Sequence, residues 1–415
     1  MGGTTRNLTV VNTNNGSSNA VVWGQTANPS DAVTNVAVRN VTLVGNDNTQ
    51  TMFGVGFGAL AIGLNSNGVG NHNNLIENCL IKRTQYGIYS AGASAANKNT
   101  GTVIRDNDMI TAAPDNVGRG GIVVRFENSA QIVENQIGNL STNAANALGI
   151  AVGLVDVGNG TFVADEVTNA TVTRNLISGV ASSSIDGLSA SGIAVASASS
   201  GTNNIVNNMI SGVLSNALDP DLTVGILIGG GTGSVTNVYF NSVSMTGNRG
   251  TASASSFALV VGGTNPAVDV RNNVLTNTQT AAGPGESYAV GLSLRAAVLE
   301  PDLELQRPLH RRPAARHHRR SRQLADGRPQ HLWPSGAPET LKDASSVSAN
   351  PLFVSTSDLH ITQSGSPVAN HGTVIPSVTV DFVLTMPATA PPRRTWAPTS
   401  SAPTPSTSRW RAAVR

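Results

Sequence analysis

The sequence is poor in charged, aromatic and sulfur-bearing residues. Of its 415 residues, 12% are charged and 4% are aromatic, and Cys79 is the single cysteine. One cysteine excludes an intramolecular disulfide, and so few aromatic rings exclude a core built from large side chains. The many glycines (43), together with abundant Asn, Ser, Thr and Val, argue against helices and favour narrow strands joined by frequent turns.

Long apolar runs are also missing, because no stretch of about 18 apolar residues is available for a membrane-spanning helix. Met1 is followed by two glycines, two threonines and then a strand-like run, without the basic and apolar regions of a signal peptide. We expect the chain to begin downstream of its natural start, with a cytoplasmic protein as the alternative.

A short motif recurs nine times, in which an asparagine follows one or two polar residues and precedes an aliphatic pair. The recurrences are spaced by roughly 33 residues, a period typical of solenoids. The asparagines are Asn7, Asn40, Asn78, Asn107, Asn135, Asn175, Asn208, Asn241 and Asn273. We predict that they stack as a structural ladder, because side-chain amides at an identical turn can hydrogen-bond along the axis. The alternative interpretation is that the row binds a ligand.

A second apolar segment follows each asparagine from the third onward. These segments are Gly87–Tyr89, Gly121–Val124, Gly149–Val152, Gly192–Val195, Gly225–Ile228, Phe257–Val260 and Tyr288–Gly291. Each repeat therefore holds two or three short strands, and strands at the same position stack in parallel. The pattern predicts an all-β fold, a right-handed parallel β-helix of about nine coils.

These coils, with asparagine motifs such as RNLIS (174–178) followed by segments such as GIAV (192–195), resemble the right-handed parallel β-helix repeat proteins of the pectin-lyase-like superfamily over roughly residues 5–293. Further on, SANPLF (348–353), DLH (358–360) and GSPVAN (365–370) resemble the closing segment of bacterial surface β-helix proteins. The resemblance implies an extracellular or cell-surface bacterial protein. It implies no particular reaction, because the superfamily contains lyases, hydrolases, adhesins and scaffolds.

The composition changes abruptly after the coils. Residues 294–340 are rich in Arg, His and Pro, and the run at 310–320 is typical of a nucleic-acid patch. Shifted codons for 300–315 permit the peptide NLTSSYNDLYTAGPQ, and shifted codons for 395–401 permit DVGADEF, the ending expected from the resemblance. We therefore predict a disturbed reading frame at 294–340 and after 382, and no nucleic-acid partner, because the basic pI of 8.9 comes from these segments.

The predicted organisation has four parts. Residues 1–293 form the β-helix, 294–340 an aberrant basic segment, 341–382 a remnant of the closing segment, and 383–415 a disordered tail. An open β-helix exposes strand edges at both ends, so end-to-end self-association is expected.

No residue stands out as catalytic. Polysaccharide-cleaving β-helices need paired carboxylates, or a base beside a bound cation. The weak candidates are Asp106, Asp108 and Glu134, and nearby charged residues are Arg105, Arg125 and Glu127. The alternative is that Arg105, Glu134 and Arg174 form a solvated surface row.

Metal and cofactor sites are not predicted. The acid pairs Asp165–Glu166 and Asp219/Asp221 lie in loops with too few ligands for calcium, and His72 has no Cys, His or acidic partner pattern beside it. The glycine runs at 229–231 and 262–263 lack the lysine of a phosphate loop. The leading interpretation is a structural, adhesive or carbohydrate-contacting surface protein, and the alternative is a polysaccharide lyase or glycoside hydrolase.

Overall fold

The computed structural model describes residues 5–28, 30–153, 167–196, 200–231, 233–262, 266–292, 349–361, 365–369, 371–372, 374–379, 382, 409–410 and 413–414. The predictions for 294–340, and for all of 383–415 except two dipeptides, lie outside these residues. None of the described residues is helical. A helix capable of crossing a membrane is accordingly not found in this part of the chain.

The strands are short and numerous. The first ten are β1 (Leu8–Val11), β2 (Ala20–Thr26), β3 (Ala37–Arg39), β4 (Val41–Val44), β5 (Phe53–Ala59), β6 (Leu75–Glu77), β7 (Leu80–Lys82), β8 (Tyr86–Ala91), β9 (Asn99–Thr100) and β10 (Val103–Arg105). The next ten are β11 (Asp108–Met109), β12 (Gly120–Arg125), β13 (Glu127–Asn128), β14 (Gln131–Val133), β15 (Gln136–Thr142), β16 (Ala147–Val152), β17 (Thr171–Thr173), β18 (Leu176–Ser182), β19 (Ala190–Val195) and β20 (Thr202–Val206). The last eleven are β21 (Met209–Ser215), β22 (Thr223–Ile228), β23 (Val235–Tyr239), β24 (Ser242–Met245), β25 (Ser256–Val261), β26 (Ala267–Arg271), β27 (Val274–Asn277), β28 (Ser287–Leu292), β29 (His371–Gly372), β30 (Arg409–Trp410) and β31 (Ala413–Val414).

Three long parallel sheets contain most of these strands. Sheet A has the order β1-β4-β7-β11-β15-β18-β21-β24-β27-β31, sheet B the order β2-β5-β8-β12-β16-β19-β22-β25-β28, and sheet C the order β3-β6-β10-β14-β17-β20-β23-β26. Two pairs, β9-β13 and β29-β30, stand apart. In each coil the chain contributes one strand to sheet A, one to sheet B and one to sheet C, and the next coil then begins with a strand of sheet A. The fold is a right-handed parallel β-helix, as the repeat predicted.

The core is made of stacked aliphatic columns from the three sheets. In sheet B one inward column contains Val55, Ile88, Ile122, Ile150, Ile193, Ile226 and Leu259, all fully buried. Similar columns from sheets A and C meet it in a single core. Aliphatic side chains suit this interior because inward residues of neighbouring coils lie directly above one another, and dispersion contacts accumulate along the stack.

Six of the nine predicted ladder asparagines form one continuous buried row where the chain passes from sheet C to sheet A. They are Asn107, Asn135, Asn175, Asn208, Asn241 and Asn273. In each of the first five, both the peptide N–H and the Nδ2–H donate to Oδ1 of the next asparagine, at 2.9–3.1 Å. Each Nδ2 also donates to a carbonyl of the preceding coil. These amides are therefore engaged inside the fold.

Asn7, Asn40 and Asn78 do not belong to this row, because they lie one residue before it. Asn78 Nδ2 donates to Asn40 Oδ1 at 2.7 Å, so these two amides pair between neighbouring coils at the turn instead. Strand pairing aligns Leu80 with Asp108, so Cys79 occupies the row position below Asn107, and its N–H donates to Asn107 Oδ1 at 3.0 Å. Asn40 and Asn78 instead adopt left-handed backbone, with φ of 57° and 48°. Asparagine is favoured both in such turns and in amide stacks, so the residue type alone did not separate the two positions.

Candidate functional site

The turn that precedes the asparagine row forces one residue per coil into left-handed backbone. Its occupants are Asn40, Asn78, Asp106, Glu134, Arg174, Asn207, Phe240 and Asn272, with φ between 48° and 59°. The next residue points inward into the row, so these turn residues project outward from successive coils. Neighbouring strands lie about 4.8 Å apart, and the turns therefore build a regular outer edge.

Charged residues concentrate on one half of this edge, which we call the charged ridge: Arg6, Glu77, Arg105, Asp106, Asp108, Glu134 and Arg174. Three ion pairs cross between coils. Arg105 contacts Glu77 at 2.5 Å, Arg174 contacts Glu134 at 2.6 Å, and Arg6 contacts Asp108 at 3.2 Å. All six side chains are 21–46% exposed. The predicted surface row of Arg105, Glu134 and Arg174 is thus a set of ion-paired, half-buried groups that remain accessible to a ligand.

Two of the predicted acids meet on the ridge. Asp106 and Glu134 hold the same turn position in adjacent coils. Partial burial, followed by the neighbouring charge of Glu134, raises the pKa of Asp106, and the Arg105 guanidinium opposes this rise. Two neighbouring carboxyl groups, one of which has a raised pKa, form an arrangement that can transfer a proton.

The third predicted acid, Asp108, lies in β11, two residues after Asp106. Its Oδ2 pairs with Arg6, and its Oδ1 accepts the N–H of Ile110 at 3.2 Å. Arg6 also donates to Asn78 Oδ1 at 3.0 Å. Asp108 is therefore held as a carboxylate partner of Arg6 at one end of the ridge.

Glu127 and Arg125 lie away from the ridge, although they are close to it in sequence. Glu127 is fully buried and accepts hydrogen bonds from the hydroxyls of Ser90 at 2.5 Å and Thr102 at 3.0 and 3.1 Å. Burial raises the pKa of Glu127 to about 7, against the effect of these hydrogen bonds. Strand pairing places Glu127 directly above Asn99, which is also fully buried. The two side chains form a stack of inward polar residues that is separate from the asparagine row. The role of Glu127 is inside the coil.

The remaining predicted residues do not cluster. His72 Nδ1 accepts the N–H of Thr100 at 3.1 Å, and Asp221 accepts the hydroxyl of Ser189 at 2.5 Å. Asp165 and Glu166 lie outside the described residues. Within the described ranges, no group of three or more His, Cys, Asp or Glu side chains is arranged to hold a metal ion.

Sequence reasoning missed Arg6 and Glu77 as members of the ridge. The sequence does contain the relevant pattern, since Arg6 and Glu77 each lie one or two residues before a recurring asparagine, as Arg105 and Arg174 do. The pattern identifies ridge residues only when the register of the turn is known.

No family model and no curated protein matches the chain. Among solved structures, the A-module of the mannuronan C-5 epimerase AlgE6 from Azotobacter vinelandii matches with 13% identity and a TM-score of 0.31, over 68% of this chain and 80% of that one. The strand pairing defines the chain as a parallel β-helix repeat protein.

Proposed function

We propose that the protein is an extracellular or bacterial cell-surface β-helix, related to the pectin-lyase-like superfamily, whose charged ridge contacts carbohydrate. The observation that carries this proposal is the ridge itself, a line of planar polar groups on successive coils. Carboxylates accept hydrogen bonds from sugar hydroxyls, and guanidinium groups donate to ring and hydroxyl oxygens.

The spacing of the ridge supports an extended ligand rather than a compact one. Turn residues recur every coil, at about 4.8 Å, so Asn78, Asp106, Glu134 and Arg174 offer a track several coils long. The internal amides cannot compete for this role, because the ladder engages them within the fold.

Binding of the full chain to an array of neutral and uronate glycans tests the proposal. We expect Arg174→Ala to weaken binding at least about tenfold, because it removes a cation and leaves Glu134 unpaired. Asp115→Asn is the matched control, since it breaks the Lys82–Asp115 ion pair, whose two residues do not belong to the ridge. A blank across the array, or equal binding by both variants, would reject the ridge as a carbohydrate surface.

A second candidate function, a polysaccharide lyase or glycoside hydrolase, is favoured by the raised pKa of Asp106 beside Glu134. In that case Asp106 donates a proton and Glu134 acts as the carboxylate. Incubation with uronate and neutral polysaccharides should release new chain ends, and Asp106→Asn should abolish the release while Asp115→Asn leaves it unchanged. Binding without any release favours the first proposal.

A further inference from the structure

The other half of the turn edge is covered by a separate part of the chain. We call residues 349–361, 365–369, 374–379 and 382 the closing segment. Its apolar side chains pack on outward residues of the last coils: Leu359 and Phe382 on Met209, Val368 on Val274, and Ile375 on Val206 and Tyr239. The charged ridge and the closing segment thus occupy different lengths of one edge.

A pocket of about 60 Å³ lies between the closing segment and the turns. Its walls include Ser242, Phe240, Val274, His360 and Phe382. Strand pairing places Ser242 at the same position as Met209 below it and Val274 above it. Those two side chains pack against the closing segment, whereas Ser242 is short and polar. The pocket therefore lies where one apolar contact is replaced by a hydroxyl group.

A histidine from the closing segment lines the same pocket. His360 Nδ1 lies 2.5 Å from Asp358 Oδ1, and the two side chains are only 18% and 22% exposed. A carboxylate oxygen accepts a hydrogen bond, so the proton of a neutral imidazole at this position lies on Nδ1 and its lone pair on Nε2. Nε2 is buried and has no hydrogen-bond partner among the described residues. Buried polar atoms normally have a hydrogen-bond partner, so this nitrogen can accept one from a bound molecule or from a nearby hydroxyl group.

We propose that Ser242, His360 and Asp358 form an acyl-transfer site that hydrolyses esters of short acyl chains. A serine becomes nucleophilic when a base can take its proton and a third group orients the base. The two side chains that would react line one pocket, and the third is hydrogen-bonded to the histidine. The bond between nucleophile and base is commonly long before substrate binds.

Two aromatic rings restrict the acyl group. Phe240 and Phe382 line the pocket together with Ser242 and His360. An acyl chain carried by Ser242 would lie against these rings, so a short chain such as acetyl is accommodated more easily than a long one.

The reaction balances with these three residues and water. Ser242 Oγ adds to the ester carbonyl as His360 Nε2 takes the hydroxyl proton, and the same proton then passes to the departing alkoxide. An acyl-serine remains. His360 next takes a proton from water, whose oxygen displaces Ser242 Oγ, and the released serine regains its proton from His360.

Covalent labelling of the full chain with a small alkyl phosphonofluoridate tests the site directly. Ser242 Oγ should displace fluoride, and peptide mass spectrometry should locate the adduct on Ser242. Asp358→Asn and His360→Gln should each slow labelling at least about 100-fold, as expected for loss of a general base or of its orienting group. Ser178→Ala, on the same sheet two coils away, should label at the parent rate.

Hydrolysis of p-nitrophenyl acetate against p-nitrophenyl octanoate provides a second readout, with the acetate preferred and Ser242→Ala inactive on both. Circular dichroism shows whether each variant is folded. If His360→Gln does not fold, Asp358→Asn alone is compared with the parent protein. No adduct on Ser242, or an adduct formed as fast without His360 and Asp358, would overturn the proposal. Neither result depends on glycan binding at the ridge.

Discussion

Each buried asparagine satisfies its neighbours through both its backbone and its side chain. The Oδ1 of Asn175 accepts two donors from Asn135, and the Nδ2 of Asn175 reaches the Ile132 carbonyl at 2.9 Å. An apolar residue of similar size would leave these donors buried without acceptors. The requirement for an amide is therefore local and repeats once per coil.

We expect Asn175→Ala to lower the free energy of unfolding by about 2–5 kcal/mol, because two donors of Asn135 lose their acceptor. Urea unfolding followed by circular dichroism measures this. The control is Asn204→Ala, which breaks the half-buried outward pair with Asn237 and should cost about 1 kcal/mol or less. Equal losses of unfolding free energy in the two variants would show that the buried asparagine row contributes no more stability than the outward pair.

Cys79 stands where the row would gain another rung. Its Sγ lies 3.5 Å from the Val38 carbonyl and 3.4 Å from the Glu77 carbonyl, the contacts that Nδ2 makes in the coils above. Burial raises the pKa of this thiol to about 11. We expect Cys79→Asn to stabilise the fold by about 1 kcal/mol, and Cys79→Val not to do so, as judged by urea midpoints.

Glu127 makes stability depend on pH. Its pKa is about 7 in the folded state and 4.5 ordinarily, so the folded chain holds the proton more tightly than the unfolded chain. Its stabilising contribution is complete below pH 4.5 and is lost as the pH rises to about 7, a change of roughly 3 kcal/mol. We expect Glu127→Gln to be more stable than the parent above pH 7 and similar to it near pH 4.5. Glu77→Gln, on the half-exposed ridge, is the control for both pH values.

At the scale of the strand, sheet B depends on a column of glycines that comes just before its inward aliphatic residues. The column contains Gly54, Gly87, Gly121, Gly149, Gly192 and Gly225, each facing a side chain of sheet A. A Cβ on Gly192 would lie 2.5 Å from Ile210 Cγ2 and 2.6 Å from the Gly225 carbonyl oxygen. These glycines let sheets A and B approach closely, which keeps the interior narrow.

We expect Gly192→Ala to destabilise the fold by about 1–3 kcal/mol through overpacking, measured as a shift of the urea midpoint. Gly63→Ala is the matched control, since no atom lies within 4 Å of its added Cβ. A neutral result for Gly192→Ala would show that Ile210 can move aside without cost.

At the scale of the whole molecule, the coils and the closing segment depend on different contacts. Coils stabilise one another through nearest neighbours, whereas the closing segment is attached by the few side chains that it packs against the edge. Leu359, which is 1% exposed, lies at the centre of one such cluster with Met209 and Phe382.

We expect Leu359→Asp to release the closing segment, because an unpaired charge would be buried there. Limited proteolysis should then cut within 349–382 at least about tenfold faster, while the thermal transition of the coils changes little. Val354→Asp, at a side chain that is 43% exposed, should cut at the parent rate. A large fall in the coil transition would instead show that the segment and the coils unfold as one unit.

The sequence by itself determined the fold class, because period, strand length and turn composition are local properties that recur at every coil. It could not determine the register of the first three asparagines, since the outward turn position and the inward row accept the same residue type one position apart. Only strand pairing distinguishes Asn78 from Cys79.

Burial and long-range proximity were decided by the tertiary structure alone. Glu127 and Glu134 look equivalent along the chain, yet one extends an inward column above Asn99 and the other pairs with Arg174 on the surface. Ser242 and His360 are far apart in sequence and line one pocket because the closing segment lies back across the last coils. In a solenoid, contacts between neighbouring coils can be predicted from the sequence repeat. A segment outside the repeat follows no period, so its contacts are known only from the folded structure.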